Sequence, residues 1–129
     1  MNVPQQLFYT KEHEWVKIDG KTATFGITDY AQSSLGDITF VELPKVGQDV
    51  AQFKFCATVE SVKAASDVFA PLTGTITKVN PDLPAHPEFI NQSPYEKAWF
   101  AVIEIADPAQ KNNLMTAAVY SEYVKGLSA

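Results

Sequence analysis

The chain has no arginine, one cysteine and no long apolar run, and each absence narrows what it can be. Its ten basic residues are all lysines, set against fifteen carboxylates for a formal net charge of -5. A nucleic-acid binder carries a basic stripe and usually arginine to grip phosphate, so this balance argues against that class. It suits docking on basic patches of partner enzymes, where complementary charge mostly raises the association rate. The lone Cys56 rules out an internal disulfide and fits a reducing compartment. No stretch approaches the roughly 20 apolar residues of a membrane span. The N-terminus, Met1-Asn2-Val3-Pro4, has neither a charged leader nor an apolar signal core, so the expected location is cytoplasmic, without membrane association. Histidine is scarce too. His13 and His86 are far apart and not at ligand spacing, which leaves no metal site to propose. A glycine-rich phosphate loop and a nucleophile–base–orienter set are both missing, so the chain does not read as an enzyme in its own right.

What is present is a β pattern. At 129 residues the chain is long enough for one domain, spanning 1–129, with a real core. Phe53, Phe55, Ala57, Val59 and Ser61 alternate with Lys54, Cys56, Thr58, Glu60 and Val62, the period of a strand with one buried face. Val68-Phe69-Ala70 resumes the apolar character and Pro71 closes it, because proline cannot donate to a central ladder. The two runs predict a hairpin with Lys63 at or beside its tip. Most hairpin lysines only keep an edge soluble. Here Glu60 and Asp67 flank a bare amine with small neighbours, Ala64 and Ala65, a surface that another protein could read before modifying the lysine. An ordinary lysine, with a pKa of about 10.4, is a poor nucleophile at neutral pH, so acylation would need an external enzyme.

Elsewhere, residues 14–18 alternate and Asp19-Gly20 signals a hairpin into residues 22–27. Trp15 reads as core. Thr28 can cap a short helix, Asp29–Leu35, that Gly36 ends. Residues 37–43 form a strand stopped by Pro44, Lys45 to Asp49 a turn, and residues 72–80 a threonine-rich strand. Residues 81–95 hold four prolines and read as a long irregular loop. Residues 98–105 are almost continuously apolar, hence a central strand. Asp107-Pro108 starts a helix through about Met115; Thr116 caps another, with Val119, Tyr120, Tyr123, Val124 and Leu127 on one face and Gly126 at its end. Together these predict a mainly β fold: two antiparallel sheets packed as a flattened barrel or sandwich, a short internal helix and C-terminal helices. Cys56, mid-strand with nothing near to activate it, reads as structural.

The octapeptide Glu60-Ser61-Val62-Lys63-Ala64-Ala65-Ser66-Asp67 resembles the lipoylation motif of glycine cleavage system H proteins. His13-Glu14-Trp15, Gly26-Ile27-Thr28-Asp29-Tyr30-Ala31-Gln32, Leu35-Gly36-Asp37, Phe40-Val41-Glu42-Leu43-Pro44 and Asn91-Gln92-Ser93-Pro94-Tyr95 agree with that family in order and cover nearly the whole chain. Gly47, Val50, Glu60 and Gly74 meet the wider biotinyl/lipoyl-carrier pattern. The resemblance implies a lipoyl-domain, barrel-sandwich hybrid acting as a monomeric, non-catalytic carrier, with lipoate amide-linked to Lys63 by a lipoate ligase or a lipoyl/octanoyl transferase. Glu60 and Asp67 would be read by that enzyme. A pyridoxal-phosphate glycine decarboxylase would load an aminomethyl group on the arm, a tetrahydrofolate-dependent aminomethyltransferase would remove it, and dihydrolipoamide dehydrogenase would reoxidise the dithiol. The tether would reach on the order of 10 Å. By the same resemblance Glu14, Thr28 and Tyr30 would line a cleft that shelters the loaded arm, with Glu14 pairing its ammonium. Glu12 and Ala98 depart from the family's usual residues.

Related readings are separable. A biotin carrier normally has methionines beside its lysine, where this chain has Val62 and Ala64. The lipoyl module of a 2-oxoacid dehydrogenase is usually tethered by an Ala/Pro-rich linker, which this sequence does not contain. A binding module without modification, and an H-like protein that donates lipoate to other carriers, are the remaining alternatives. Added mass distinguishes lipoate from biotin.

Overall fold

The computed structural model describes residues 1–128. Ten strands form two antiparallel sheets. The larger has the order β10 (Met115–Thr116), β1 (Phe8–Tyr9), β2 (Glu14–Asp19), β3 (Thr22–Ile27), β9 (Ala101–Ile105), β8 (Gly74–Val79), β5 (Asp49–Val50). The smaller has the order β4 (Ile38–Glu42), β6 (Phe55–Ser61), β7 (Ala65–Phe69). Their inner faces enclose one core, in which Val16, Phe25, Ile76 and Ile103 from the large sheet, with Phe100 just before β9, meet Val41, Val59 and Val68 from the small one. The apolar run before Asp107 does supply a central strand: β9 pairs with β3 on one side and β8 on the other.

Helix α1 (Asp29–Leu35) follows the expected bounds, with the Thr28 hydroxyl accepting from the Ala31 N–H. Gly36, at φ +80°, ends it in the left-handed region that favours glycine. The proline-rich segment after β8 is mostly irregular, as expected, and it wraps the core by burying Leu83 and Ile90, with a single short helix α2 (Phe89–Gln92). It is pinned by Asn91, whose side chain accepts from the Ile38 N–H and donates to the Gly36 carbonyl and to Gln32.

Four sequence-based expectations need correction. Phe53 and Phe55 do not share the buried face with Ala57 and Val59. A bulge between Phe55 and Ala57 shifts the register, so Cys56 and Ala57 both turn inward while Phe55 is exposed. Phe53 lies outside the strand at φ +64°. The helix after Asp107 is a short 3-10 segment, Pro108–Asn113, capped by Asp107, and Met115 pairs with Tyr9 as a strand. Gly126 does not end the last helix, α3 (Ala117–Ser128). Nor do Val119 and Leu127 face inward. Ala117, Tyr120 and Val124 make the packed stripe of α3, closing a second cluster with Leu7, Tyr9 and Trp15.

Among the glycines, Gly74 marks the closest approach to a neighbouring strand. A Cβ there would stand 2.0 Å from the Glu104 carbonyl oxygen and 2.6 Å from the Ile103 Cγ2 atom. Gly74→Ala is therefore expected to destabilise the fold by at least about 2 kcal/mol, since the clash is with backbone that cannot rotate away. Urea denaturation would show it as a lower midpoint; an unchanged midpoint would contradict the close approach.

Candidate functional site

Strands β6 and β7 pair from Phe55/Phe69 to Glu60/Ala65, and the chain reverses over Val62 and Lys63. Two-residue hairpins usually rely on residues at positive φ. Val62 and Lys63 are not among the positive-φ residues, and a side chain closes the turn instead. The Ser61 hydroxyl accepts from the Lys63 and Ala64 N–H groups at 3.1 and 3.2 Å, and the Ser61 N–H donates to the Ala64 carbonyl at 2.8 Å. The Val62 N–H donates to the Asp37 carbonyl at 3.1 Å, tying the tip to the start of β4. The outer carbons of the Lys63 side chain pass Gly36, close enough that a Cβ there would be in ordinary contact with its Cε at 3.7 Å. Asn91 holds the Gly36 carbonyl from below. Lys63 is thus exposed on a fixed backbone, and its ammonium has no ion pair among the described residues. Nothing in composition distinguished Ser61, Gly36 and Asn91 as supports. Only the hydroxyl's place two residues before Lys63 offered a signal, that of a serine turn.

Glu60 and Asp67 are both exposed near the tip, as the sequence suggested. They are not cross-strand partners: Glu60 faces Ala65 and Asp67 faces Thr58.

The three residues expected to form an arm-docking cleft lie in different settings. Glu14 is only 1% exposed. One carboxylate oxygen accepts the Thr10 hydroxyl and the other accepts the Phe69 N–H at 3.1 Å, so the side chain fastens β2 to the end of β7. The Thr10 oxygen in turn accepts from the Glu14 N–H. Above this cluster a cavity of about 530 Å³ is lined by Tyr9, Thr10, Glu12, Phe53, Phe69 and Met115, with Lys11 and Asn113 completing the rim. Glu14 therefore sits behind Thr10, while Glu12 is the carboxylate on the wall. Thr28 is fully buried, with its hydroxyl shared between the α1 cap and the Tyr120 hydroxyl at 2.8 Å. Tyr30 is half-buried and packs against His13 with the rings tilted at 42°, centroids 4.6 Å apart. His13 (φ +72°) meets the Tyr120 hydroxyl at 2.8 Å through its Nδ1, so Thr28, Tyr30 and His13 join α1 and α3 behind the β1–β2 turn. A larger cavity of about 640 Å³, between Leu7, Trp15, Tyr95 and Trp99, contains none of the predicted site residues.

Burial governs the electrostatics of these groups. It pushes the Glu14 carboxyl up to about 7, against the Thr10 and Phe69 hydrogen bonds that favour the anion. It lowers His13, opposed by nearby Glu12. It also pushes the Cys56 thiol up to about 12, helped by the Glu14 charge, which leaves that thiol inert at neutral pH. The described residues contain no group of three or more His, Cys, Asp or Glu arranged to hold a metal ion, and no helix long and apolar enough to cross a membrane.

The sequence profile of the family described as "Glycine cleavage H-protein" matches residues 7–127. A glycine cleavage system H protein of Geobacillus kaustophilus (strain HTA426) is 51% identical over 124 residues, covering 96% of this chain and 98% of the relative. One from Bacillus pumilus (strain SAFR-032) is 52% identical over 125 residues, covering 97% and 98%. The crystal structure of a glycine cleavage system H protein from Mycobacterium marinum superimposes with a TM-score of 0.83 at 34% identity, covering 98% of this chain and all of that one.

The raised Glu14 value fixes a sign for stability. The native state binds this proton more tightly than the unfolded chain, where the carboxyl titrates near its ordinary 4.5. The contribution is fully present below about pH 4.5 and is lost as pH rises through about 7, on the order of 3 kcal/mol in all. Glu14→Gln should remove that part of the pH dependence, leaving the variant less sensitive than wild type between pH 5 and 8. Urea midpoints at the two pH values check it; equal slopes for both proteins would refute it.

Proposed function

The chain belongs to the glycine cleavage H-protein family, the lipoyl carriers of the glycine cleavage system, and from that premise we propose that Lys63 is its lipoylated residue and that it carries without catalysing. The observation that supports this most directly is an exposed, unpaired ammonium at the tip of a hairpin whose backbone is hydrogen-bonded on both sides. A lipoate ligase or a lipoyl/octanoyl transferase would attach the group, reading Glu60 and Asp67 on the two strands that meet at the lysine.

The residues present fit a lipoyl group. Four strand steps separate Ala65 from Phe69, about 13 Å at 3.3 Å per residue, so the groove at Phe69 lies at a distance of the same order as the tether's reach. Its Tyr9, Phe53, Phe69 and Met115 wall is apolar enough to receive a hydrocarbon chain and exclude water. When bound, lipoate supplies a disulfide that can take up a one-carbon amine group and be regenerated by oxidation. The chain's own part is to hold the attachment nitrogen still, offer shelter and supply countercharge. Glu14, one hydroxyl deep behind Thr10, is the carboxylate proposed to act on an ammonium arriving in the groove, through the Thr10 hydroxyl and without direct contact. Thr28 and Tyr30 act from behind it, by fixing α1 and the β1–β2 turn. The partners are the other components of the system: a pyridoxal-phosphate glycine decarboxylase, a tetrahydrofolate-dependent aminomethyltransferase and dihydrolipoamide dehydrogenase, in the cytoplasm.

Expression with lipoate supply should add one lipoyl mass to the intact wild-type chain and none to Lys63→Arg, and only the former should support glycine decarboxylation by the purified partner. Lipoylated Lys63→Arg would overturn the assignment. Glu14→Gln should accept lipoate normally but release ammonia from the loaded arm several-fold faster, as expected if a charge-assisted contact worth about 1 kcal/mol or more is lost. An unaltered release rate would remove Glu14 from that role.

A further inference from the structure

Apart from Glu60 and Asp67 near the tip, the outward face of the small sheet has no role so far. Cross-strand register places Phe40, Glu60 and Ala65 in one row and Glu42, Thr58 and Asp67 in the next, while Val41 and Val59 alternate into the core. The β6 bulge turns Phe55 outward at the far end of the same face. Phe40 and Phe55 are 47% and 55% exposed, and Val62, beside Lys63 at the tip, is 69% exposed. Large apolar side chains gathered on one exposed sheet face mark an interaction site. The carboxylates of Glu42, Glu60 and Asp67 form no ion pair or hydrogen bond among the described residues. Strands β4, β6 and β7 contain no lysine to neutralise them.

We infer that this face is the docking platform for the decarboxylase partner, and that the partner meets it with a lysine- or arginine-rimmed channel mouth bearing apolar seats for Phe40 and Phe55. The inference rests on the carrier reading above and adds the surface to it. Charge complementarity selects the occupant. Three unpartnered carboxylates around two aromatic rings would repel an acidic surface and leave a neutral one with unpaired charges. Continuity with the attachment site sets the geometry, because the platform runs into the hairpin tip and a protein seated on it has its channel over Lys63. The platform is about 16 Å long, five strand steps from Phe55 to Glu60 on β6, and about 10 Å across three strands. That is small enough for a transient complex, as a carrier that must leave each enzyme requires. Orientation comes from charge at the encounter, and the rings fix the register once in contact.

The test uses the full chain. Binding of the unmodified protein to the purified pyridoxal-phosphate glycine decarboxylase is measured by NMR titration of the isotopically labelled chain. Lipoylated protein is assayed in parallel for KM and kcat. The double variant Phe40→Ala/Phe55→Ala should weaken binding about tenfold or more and raise KM without lowering kcat. Glu42→Lys should weaken binding and flatten its salt dependence. Val119→Ala, exposed on α3, should bind as wild type. The NMR spectra themselves report that each variant is folded. If folded face variants bind within twofold of wild type, or if Val119→Ala weakens binding as much as they do, the platform is refuted while the carrier reading stands. If the wild-type chain neither accepts lipoate on Lys63 nor binds the decarboxylase, the reading beneath the platform falls with it.

Discussion

The Lys63 amine proposed as the attachment point must stand in water while the backbone beneath it does not move, and the hairpin, helix end and loop around it meet that constraint. Lysine carries a large rotamer entropy, so a swinging attachment point on a loose loop would present its nitrogen in many places at once. Here one serine hydroxyl accepts two successive N–H groups across the turn and the Asp37 carbonyl takes a third. The freedom is thereby confined to the lysine side chain. Gly36 leaves room for that side chain to lie over the end of α1, and Asn91 draws the proline-rich loop under the same glycine. Hairpin, helix end and loop therefore act as one support, even though they are distant in sequence.

The same logic explains a buried carboxylate that would otherwise be a cost. Placing Glu14 in the interior disfavours its anion, and an apolar side chain of similar size would avoid the penalty. Its two oxygens, however, take up the Thr10 hydroxyl and the Phe69 N–H, the latter at the edge of the small sheet where no further strand follows. The side chain thus joins the two sheets at the end of β7 farther from the lysine. It leaves a polar floor behind the wall of an otherwise apolar groove. Strained backbone borders this region: among the described residues His13 and Phe53 are the two non-glycine residues at positive φ, and Phe53 lies on the groove wall. Departures from ordinary backbone at a site are commonly retained for function.

Much of this was legible in the sequence because the relevant signals are local. Alternation gave the inner face of β6 from Ala57 onward, Asp19-Gly20 gave a hairpin, and Thr28 with Gly36 gave both ends of α1. The hairpin lysine and the acidic residues beside it could be read for the same reason. What escaped depends on tertiary contacts. A bulge shifts strand parity by one residue, so Phe55 and Cys56 exchange the faces that strict alternation assigns them. The stripe of α3 was drawn too wide because Val119 and Leu127 fit a helical period equally well; only the position of the sheet decides that Ala117, Tyr120 and Val124 face it. Glu14 read as a wall residue and lies one layer deeper, since its exposure depends on Thr10 folding over it.

Ten lysines compete for any acylating enzyme, and chemistry alone does not rank their ammonium groups. The account ranks them by presentation: Lys63 alone stands at the tip of the β6–β7 hairpin, between carboxylates and small side chains. Peptide-resolved mass spectrometry after enzymatic lipoylation of the folded wild-type chain tests that ranking most directly. The account predicts the lipoyl group on Lys63 and on none of the other nine lysines. Modification distributed among several lysines, or concentrated on a different one, would contradict it.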